Sequence, residues 1–241
     1  MSDFPTAPRW YRPILSASSV ALRVALPYLR GSETGEQAEI EHHIENPKMG
    51  HSASERIAPQ VGRGRDPNLA LHVGRYTWAL PACEGKRVVD LGCGVGYGTV
   101  ILSSFAQEAI GVDLSADAIE TATELYPSID YRVADLTAED LPEADLGVCF
   151  EVLEHLPEPE KALARFFETY PRMLISFPNP IGSGSHINPH HVVDWPLVTL
   201  KRKLREAGAG TLKVYRQGYY SPAIRRWHPG PSLTWVIDAT R

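Results

Sequence analysis

The chain has 241 residues, of which 43% are hydrophobic and 22% charged, and its formal net charge is −5. This composition is typical of a globular protein and excludes a wholly disordered or collagen-like chain, while the acidic balance disfavours a protein that binds long nucleic acid. Three scattered cysteines, Cys83, Cys93 and Cys149, are too few for a disulfide framework or a zinc ribbon, which predicts reduced thiols in a cytoplasmic protein.

Residues 1–68 differ in composition from the rest of the chain. They are rich in proline and glycine, and their most apolar run, residues 14–29, is interrupted by Arg23 and Pro27. A membrane span needs about 20 predominantly apolar residues, so this run predicts an amphipathic helix and neither a span nor an export signal. We therefore expect an N-terminal helical arm or lid over residues 1–68, a main domain over residues 69–241 and no membrane segment.

From about residue 69 onward, segments typical of strands and helices alternate. The predicted strands cover 87–91, 109–113, 129–133, 144–150, 172–177, 212–216 and 233–239, and the predicted helices cover 69–80, 99–106, 115–125, 159–169 and 194–207. Strands separated by single helices pair in parallel, which predicts a doubly wound α/β sheet. The last two strands have no helix between them, so we expect them to form an antiparallel pair at one edge.

A glycine-rich turn follows the first predicted strand. Asp90 lies near the end of this strand, and Gly92, Gly94 and Gly96 follow it at alternate positions. Glycines allow a tight turn and let the backbone come within contact distance of a ligand. In sheets of this class ligands bind outside the carboxyl ends of the strands, where this turn lies.

Carboxylates also follow the next two predicted strands. Asp113 ends the second strand, where it can accept hydrogen bonds from two ribose hydroxyls, and Asp135 follows the third, where it can accept from an adenine amino group. Each acid alone is typical of an ordinary surface or capping residue. Their order after consecutive strands, together with the glycine turn, predicts a nucleotide-type site.

The runs VVDLGCGVGYGT, IGVDLS, RVADL and GVCFEVLEHL, in this order, resemble the class I S-adenosylmethionine-dependent methyltransferases. The resemblance covers residues 69–241 and implies a Rossmann-like seven-stranded sheet with a reversed C-terminal hairpin. It implies that the glycine turn lies against the methionine part of the cofactor, that Asp113 holds the ribose and that Asp135 meets the adenine. The implied cofactor-binding residues are Asp90, Gly92, Gly94, Gly96, Asp113, Leu114, Asp135 and Leu136. A dinucleotide dehydrogenase is disfavoured, because its third glycine comes one residue later.

A further cofactor contact is implied by the segment before the first strand. There E-R-x-x-P and H-x-x-R-Y resemble bacterial methyltransferases of cell-surface glycans and natural-product sugars. The resemblance suggests that Arg75 or Tyr76 approaches the cofactor carboxylate. The alternative is a packing helix with a solvated arginine.

The end of the fourth predicted strand brings carboxylates and a histidine close together in sequence. Glu151, Glu154 and His155 lie there, and His191 follows the fifth strand, shortly before Asp194 and a tryptophan. A mixed oxygen and nitrogen set suits Mg²⁺, Mn²⁺, Fe²⁺, Co²⁺ or Zn²⁺. The pattern resembles metal-assisted ubiquinone-type catechol O-methyltransferases and small-RNA terminal 2′-O-methyltransferases, which implies that these two glutamates and two histidines are metal ligands.

With a metal bound, His190 or His186 can take the proton of the acceptor hydroxyl; a metal-free site is the alternative, in which His155 or His191 acts as a general base. Our leading hypothesis is an S-adenosylmethionine-dependent O-methyltransferase of a small hydroxylated substrate, such as a sugar, glycan end, nucleoside or catechol. A metal-independent N-methyltransferase of an amino sugar or small amine, a terminal RNA 2′-O-methyltransferase and a non-catalytic cofactor-binding protein are the alternatives. The segment 218–231 is aromatic and basic, which predicts either a substrate clasp or a homodimer surface.

Overall fold

The computed structural model describes residues 67–183, 190–218, 222–226 and 232–241. The predicted arm over residues 1–68 therefore lies almost wholly outside the described residues, as do His186 and most of the segment 218–231. In chain order the elements are α1 (Pro67–Cys83), β1 (Arg87–Leu91), α2 (Tyr97–Ser103), β2 (Glu108–Asp113), α3 (Ala116–Leu125), β3 (Asp130–Val133), β4 (Leu146–Cys149), a 3-10 turn (Leu153–His155), α4 (Pro159–Thr169), β5 (Arg172–Pro178), α5 (Pro180–Ser183), α6 (Leu197–Glu206), β6 (Thr211–Gly218), β7 (Ile224–Arg225) and β8 (Ser232–Thr240).

The strands form one sheet in the order β3-β2-β1-β4-β5-β8-β6-β7. The first five pair in parallel, and β8 lies antiparallel between β5 and β6. This confirms the predicted doubly wound sheet with a reversed final hairpin. The prediction of seven strands needs one correction, because the two-residue strand β7 pairs with the edge of β6 and makes an eighth. Two residues are too few to show a strand periodicity in the sequence.

Both faces of the sheet are covered by helices. Val88 and Val89 of β1 point to opposite faces, as neighbouring residues of a strand must, and each joins a different hydrophobic cluster. Leu80 of α1 belongs to the cluster of Val88, whereas Phe166 of α4 and Leu200 of α6 belong to the cluster of Val89. This double burial leaves the carboxyl ends of the parallel strands as the edge where a site can form.

The last predicted helix begins three residues later than expected, at Leu197 instead of 194. Pro196 has an extended ψ of 152° at the N-cap, and a proline disfavours helical geometry in the residue before it. The segment that carries His191 and Asp194 is therefore a loop beside the carboxyl edge. Among the described helices, none is both long and apolar enough to cross a membrane.

Candidate active site

The turn between β1 and α2 carries the glycines at the carboxyl edge of the sheet. Gly92, Gly94 and Gly96 have φ angles of 81°, 54° and 84°, which residues with a side chain rarely adopt. A Cβ atom added at Gly92 would overlap Val152 and one at Gly96 would overlap Tyr131, whereas one at Gly94 would meet no described atom within 4 Å. The outer glycines thus let the turn pack closely, and the middle one faces space that a ligand can enter.

Asp113 ties this turn to the end of β2. Its Oδ2 accepts a hydrogen bond from the main-chain N–H of Gly94 at 2.9 Å, and its Oδ1 accepts one from Ser115 at 2.9 Å. Carboxylate oxygens have further lone pairs, so both can still accept from a vicinal diol. Leu114, the next residue, is a large apolar side chain that is 67% exposed, and it offers a surface for a flat ring at the same edge.

Asp135 lies after β3 and has an ionised, solvent-facing carboxylate. Its Oδ1 accepts hydrogen bonds from the Thr137 hydroxyl at 2.6 Å and the Thr137 N–H at 2.8 Å. These bonds favour the charged form and lower the pKa of Asp135 below its usual value. The neighbouring Leu136 is buried in the hydrophobic core, so its side chain is not part of the open edge.

Asp90 lies beneath the glycine turn and is only 1% exposed. Its Oδ2 accepts a hydrogen bond from the Thr99 hydroxyl at 2.8 Å, and its Oδ1 accepts one from Tyr76 at 3.1 Å. Burial disfavours the charged form and raises the pKa of Asp90 to about 7, although the two hydrogen bonds oppose this shift. The carboxyl thus links β1 to α1 and α2, and its predicted contact with a cofactor stays a prediction.

Arg75 lies on α1 and is also only 1% exposed, which excludes the solvated arginine considered above. Its Nη1 donates to Oε1 of Gln217 on β6 at 2.6 Å, and its Nε has no hydrogen-bond partner in the part of the chain that the structure describes. No carboxylate of the described residues forms an ion pair with it. A buried guanidinium without a counter-ion is costly, and such a group is suited to an anionic ligand.

Three of the four predicted metal ligands come together after β4. One potential ligand atom each from Glu154, His155 and His191 lies within 4.8 Å of the other two. The 3-10 turn places the first two, and the N–H of Val192 donates to the carbonyl of Glu154 at 2.7 Å, which brings the loop of His191 alongside. The two imidazole rings meet edge to face with centroids 5.0 Å apart.

Further contacts orient this group. The Nδ1 of His155 lies 3.2 Å from the main-chain carbonyl of His190, so Nδ1–H donates there and Nε2 is the ring nitrogen that could coordinate a metal. The Nδ1 of His191 lies 4.0 Å from a carboxylate oxygen of Asp194. Both carboxylate oxygens of Glu154 are buried. His190 thus contributes its carbonyl, while its side chain is exposed.

Glu151, the fourth predicted ligand, does not join this group. It has a φ of 55°, and its Oε1 accepts a hydrogen bond at 2.8 Å from Ser176 on β5. The same hydroxyl accepts from the N–H of Glu151 at 2.9 Å. The E-x-x-E-H spacing predicted four converging ligands, but this pair of bonds holds the Glu151 carboxylate on the neighbouring strand.

The chain is similar to known proteins both in sequence and in structure. A family model described as a methyltransferase domain matches residues 89–169. A ubiquinone biosynthesis O-methyltransferase of Burkholderia pseudomallei is 31% identical, in a match that covers 66% of this chain and 83% of that protein. The chain belongs to the S-adenosylmethionine-dependent methyltransferases.

Two further comparisons agree with this assignment. The chain is 29% identical to a probable S-adenosylmethionine-dependent methyltransferase of Mycobacterium tuberculosis. The match covers 68% of this chain and 66% of the Mycobacterium tuberculosis protein, so it spans slightly under two thirds of that protein's length. A solved structure described as a possible histamine N-methyltransferase of Thermotoga maritima has a TM-score of 0.58 at 16% identity, covering 71% of this chain and 91% of that one. At this identity the likeness shows the class I fold.

The carboxyl edge fits S-adenosylmethionine, the methyl donor of this family. The open space at Gly94 can take the methionine part, and Asp113 and exposed Leu114 lie at the same edge with groups that a nucleoside can contact. Asp135 is ionised and can accept from the adenine amino group. Arg75 is buried and forms no ion pair with a described residue, so its guanidinium suits the carboxylate end of the cofactor.

Sequence reasoning missed two polar residues of the methyltransferase that the structure places at this edge. Ser176 and Gln217 are fully buried, yet each makes hydrogen bonds to a predicted site residue. The only signal in the sequence is a polar residue inside an otherwise strand-like run, in Leu174-Ile-Ser-Phe177 and Val214-Tyr-Arg-Gln217. That signal does not say which partner each residue has.

Proposed function

We propose that this methyltransferase transfers the methyl group of S-adenosylmethionine to a hydroxyl of a small substrate, with help from a divalent cation. The observation that carries the proposal is the convergence of Glu154, His155 and His191 at the carboxyl end of β4. A carboxylate and two imidazoles within 4.8 Å of one another form a donor set that divalent metals use. The substrate class is a sugar, glycan end, nucleoside or catechol.

The cofactor would be held along one side of the carboxyl edge. Asp113 accepts from the ribose hydroxyls, Asp135 accepts from the adenine amino group, and Arg75 pairs with the carboxylate of the methionine part. These roles follow from the chemistry of each side chain, because ionised carboxylates are acceptors only and a guanidinium is a donor only. The charged groups at the two ends fix the direction of the cofactor, and the glycine turn leaves room for its sulfonium between them.

The proposed metal ligands lie close to this position. A Cβ atom at Gly92 in the glycine turn would overlap the side chain of Val152, so the two segments are in close contact. Val152 comes two residues before Glu154 and three before His155. An acceptor oxygen bound at this group would therefore lie close to the glycine turn, and most of the rate would come from such positioning.

The three side chains of this group, one carboxylate and two imidazoles, favour some divalent cations over others. Mg²⁺ prefers oxygen ligands, whereas imidazole suits Mn²⁺, Fe²⁺, Co²⁺ and Zn²⁺. Two histidines among three ligands therefore favour these four over Mg²⁺. When bound, the cation would supply Lewis acidity that stabilises the alkoxide form of the acceptor. Glu154 offsets part of its charge, and the His190 carbonyl keeps Nε2 of His155 directed at the group.

A panel of acceptors separates this proposal from its alternatives. Methyl transfer is measured with labelled S-adenosylmethionine to a hexose, a catechol, a nucleoside, a primary amine and a short RNA with a free terminal ribose. Chelation is followed by separate re-addition of each of the five cations. We expect a hydroxyl acceptor, loss of turnover in chelator and recovery with Mn²⁺, Fe²⁺, Co²⁺ or Zn²⁺. Full activity in chelator would instead make His155 or His191 a metal-free base, and amine methylation would support an N-methyltransferase.

A further inference from the structure

The buried arginine of α1 has a neutral partner where a charged one would be expected. Arg75 is 1% exposed, and its guanidinium forms no ion pair with a described residue, although a lone buried cation is costly. Among the described residues its hydrogen-bond partner is Gln217, whose amide oxygen accepts from Nη1 at 2.6 Å. An amide oxygen orients a guanidinium without neutralising it. The positive charge is therefore not neutralised by any described residue.

Gln217 is itself held rigidly. Its side chain is fully buried, and its Nε2 donates to the carbonyl of Leu71 at 2.9 Å and to the carbonyl of Pro222 at 3.2 Å. The planar side-chain amide of Gln217 fixes the directions of its three hydrogen bonds. Its oxygen can therefore point only at Arg75. Gln217 lies at the carboxyl end of β6, and Leu71 lies one helical turn before Arg75 on α1.

The surrounding backbone leaves little freedom for this arrangement. A Cβ atom at Gly74 would overlap Pro222, so α1 and the chain leading to β7 touch at the residue beside Arg75. On the other side of α1, Tyr76 packs edge to face on Tyr97 and donates to Asp90 beneath the glycine turn. The arginine is thus placed between the glycine turn and the end of β6.

We infer that Gln217 is a positioning residue that presents the Arg75 guanidinium to the carboxylate end of the cofactor, and so sets affinity for that end alone. The inference rests on the proposed role of Arg75 in the cofactor site. Gln217 itself makes no contact with the cofactor. Its effect should therefore appear only with ligands that carry the carboxylate.

Two ligands separate this role from a merely structural one. S-Adenosylhomocysteine has the amino-acid carboxylate, and 5′-methylthioadenosine has the same nucleoside and sulfur without it. Gln217→Met keeps the length of the side chain and removes its hydrogen bonds. We expect calorimetry to show affinity for S-adenosylhomocysteine weakened about tenfold or more, the scale of a hydrogen bond to a charged group, with 5′-methylthioadenosine nearly unaffected. Equal weakening of both ligands would mean a structural role and overturn the inference.

Further variants at Gln217, Gln107 and Arg75 complete the test. Gln217→Glu places a competing carboxylate beside Arg75, so we expect the same selective loss of affinity for S-adenosylhomocysteine. This variant keeps the inference testable if Gln217→Met destabilises the fold. Gln107→Glu is the matched control, because Gln107 is exposed before β2 and should leave both affinities unchanged. In an Arg75→Met background, Gln217→Met should cause no further loss, since Gln217 acts through Arg75.

The outcomes separate a failure of the proposed role of Arg75 from a failure of the positioning role of Gln217. If Arg75→Met keeps the preference for S-adenosylhomocysteine over 5′-methylthioadenosine, the proposed role of Arg75 fails and this inference fails with it. If Arg75→Met loses that preference while both Gln217 variants keep it, only the positioning role of Gln217 is overturned.

Discussion

The hydroxyl of Ser176 makes two hydrogen bonds to one residue, Glu151, accepting from its main-chain N–H at 2.9 Å and donating to its Oε1 at 2.8 Å. Glu151 has a φ of 55°, in a left-handed region that costs a residue with a side chain about 1 kcal/mol or more. The serine satisfies both the backbone and the carboxylate of this residue. It therefore stabilises the turn that leads from β4 to Glu154 and His155.

Removing this hydroxyl should affect stability and turnover together. In Ser176→Ala we expect the free energy of unfolding to fall by about 1–3 kcal/mol, because the N–H and carboxylate of Glu151 lose a buried partner. We also expect turnover to fall, since the turn carrying Glu154 and His155 loses its support. Denaturant unfolding and steady-state rates measure the two effects.

The matched control for this variant is Ser104→Ala. The Ser104 hydroxyl donates to the carbonyl of Ile101 at the far end of α2, away from the carboxyl edge. This control should leave turnover unchanged. Equal losses of turnover in both variants would contradict a specific role for Ser176.

The cofactor site can be tested through Asp113. Asp113→Asn keeps the shape of the side chain but removes the charge and one of the acceptors that Gly94 and Ser115 now use. Affinity for S-adenosylhomocysteine should weaken by about 1–3 kcal/mol in calorimetry, the scale of lost charge-assisted hydrogen bonds. Asp117→Asn, on the exposed first turn of α3, is the control and should bind normally. Undiminished affinity in Asp113→Asn would refute the ribose-binding role.

The parts of the fold and site that follow from local order were predictable from the sequence. Asp113 and Gly94 are an example, because Asp113 ends β2, Gly94 lies in the turn after β1, and parallel strands end at one edge. The doubly wound sheet was predictable for the same reason, since single helices between apolar strands require parallel pairing. The differences are the short elements α5 and β7 and the ends of other elements, as at Pro196, where the backbone of one proline decides the boundary.

The features that could not be predicted depend on residues far apart in the chain. Glu151 belongs to a motif that predicted a ligand, but its direction is set by its own φ and by Ser176, 25 residues away. The partner of Arg75 is Gln217, which is 142 residues away and lies on the reversed part of the sheet. Neither spacing nor periodicity carries such information, because a side-chain hydrogen bond between distant segments leaves no pattern in either one.

Asp90 predicts a dependence of stability on pH. Burial raises its pKa to about 7 from the model-compound value of 3.8, so the folded protein binds a proton that the unfolded chain releases. This stabilisation is complete below about pH 4 and is lost as the pH rises toward 7, at up to about 1.4 kcal/mol per pH unit and about 4 kcal/mol in total. Above about pH 8 the contribution changes no further, because the carboxyl is then ionised in both states.

Asp90→Asn removes this titration. Its free energy of unfolding, measured by denaturant titration from pH 4 to pH 8, should fall less steeply with pH than that of the wild-type protein. Asp117→Asn changes an exposed carboxylate and should keep the wild-type slope. If Asp90→Asn shows the same slope as the wild type, the carboxyl of Asp90 is charged in the folded protein throughout this range.

The metal site is tested most directly by a variant of its buried carboxylate. Glu154→Gln removes the negative charge from the group while keeping its size, so we expect it to lose both bound metal and turnover. Affinity for S-adenosylhomocysteine should remain close to that of the wild type, because Asp113 and Arg75 are unchanged. Adding Mn²⁺ or Zn²⁺ should raise the unfolding temperature of the chelator-treated wild type by mass action, and should not raise that of Glu154→Gln.

Glu158→Gln is the matched control four residues away, where the glutamate is exposed and pairs with Lys161 at 2.6 Å. It should behave as the wild type in metal content, turnover and metal-dependent stability. A Glu154→Gln enzyme that keeps metal-dependent turnover would show that the cation binds elsewhere.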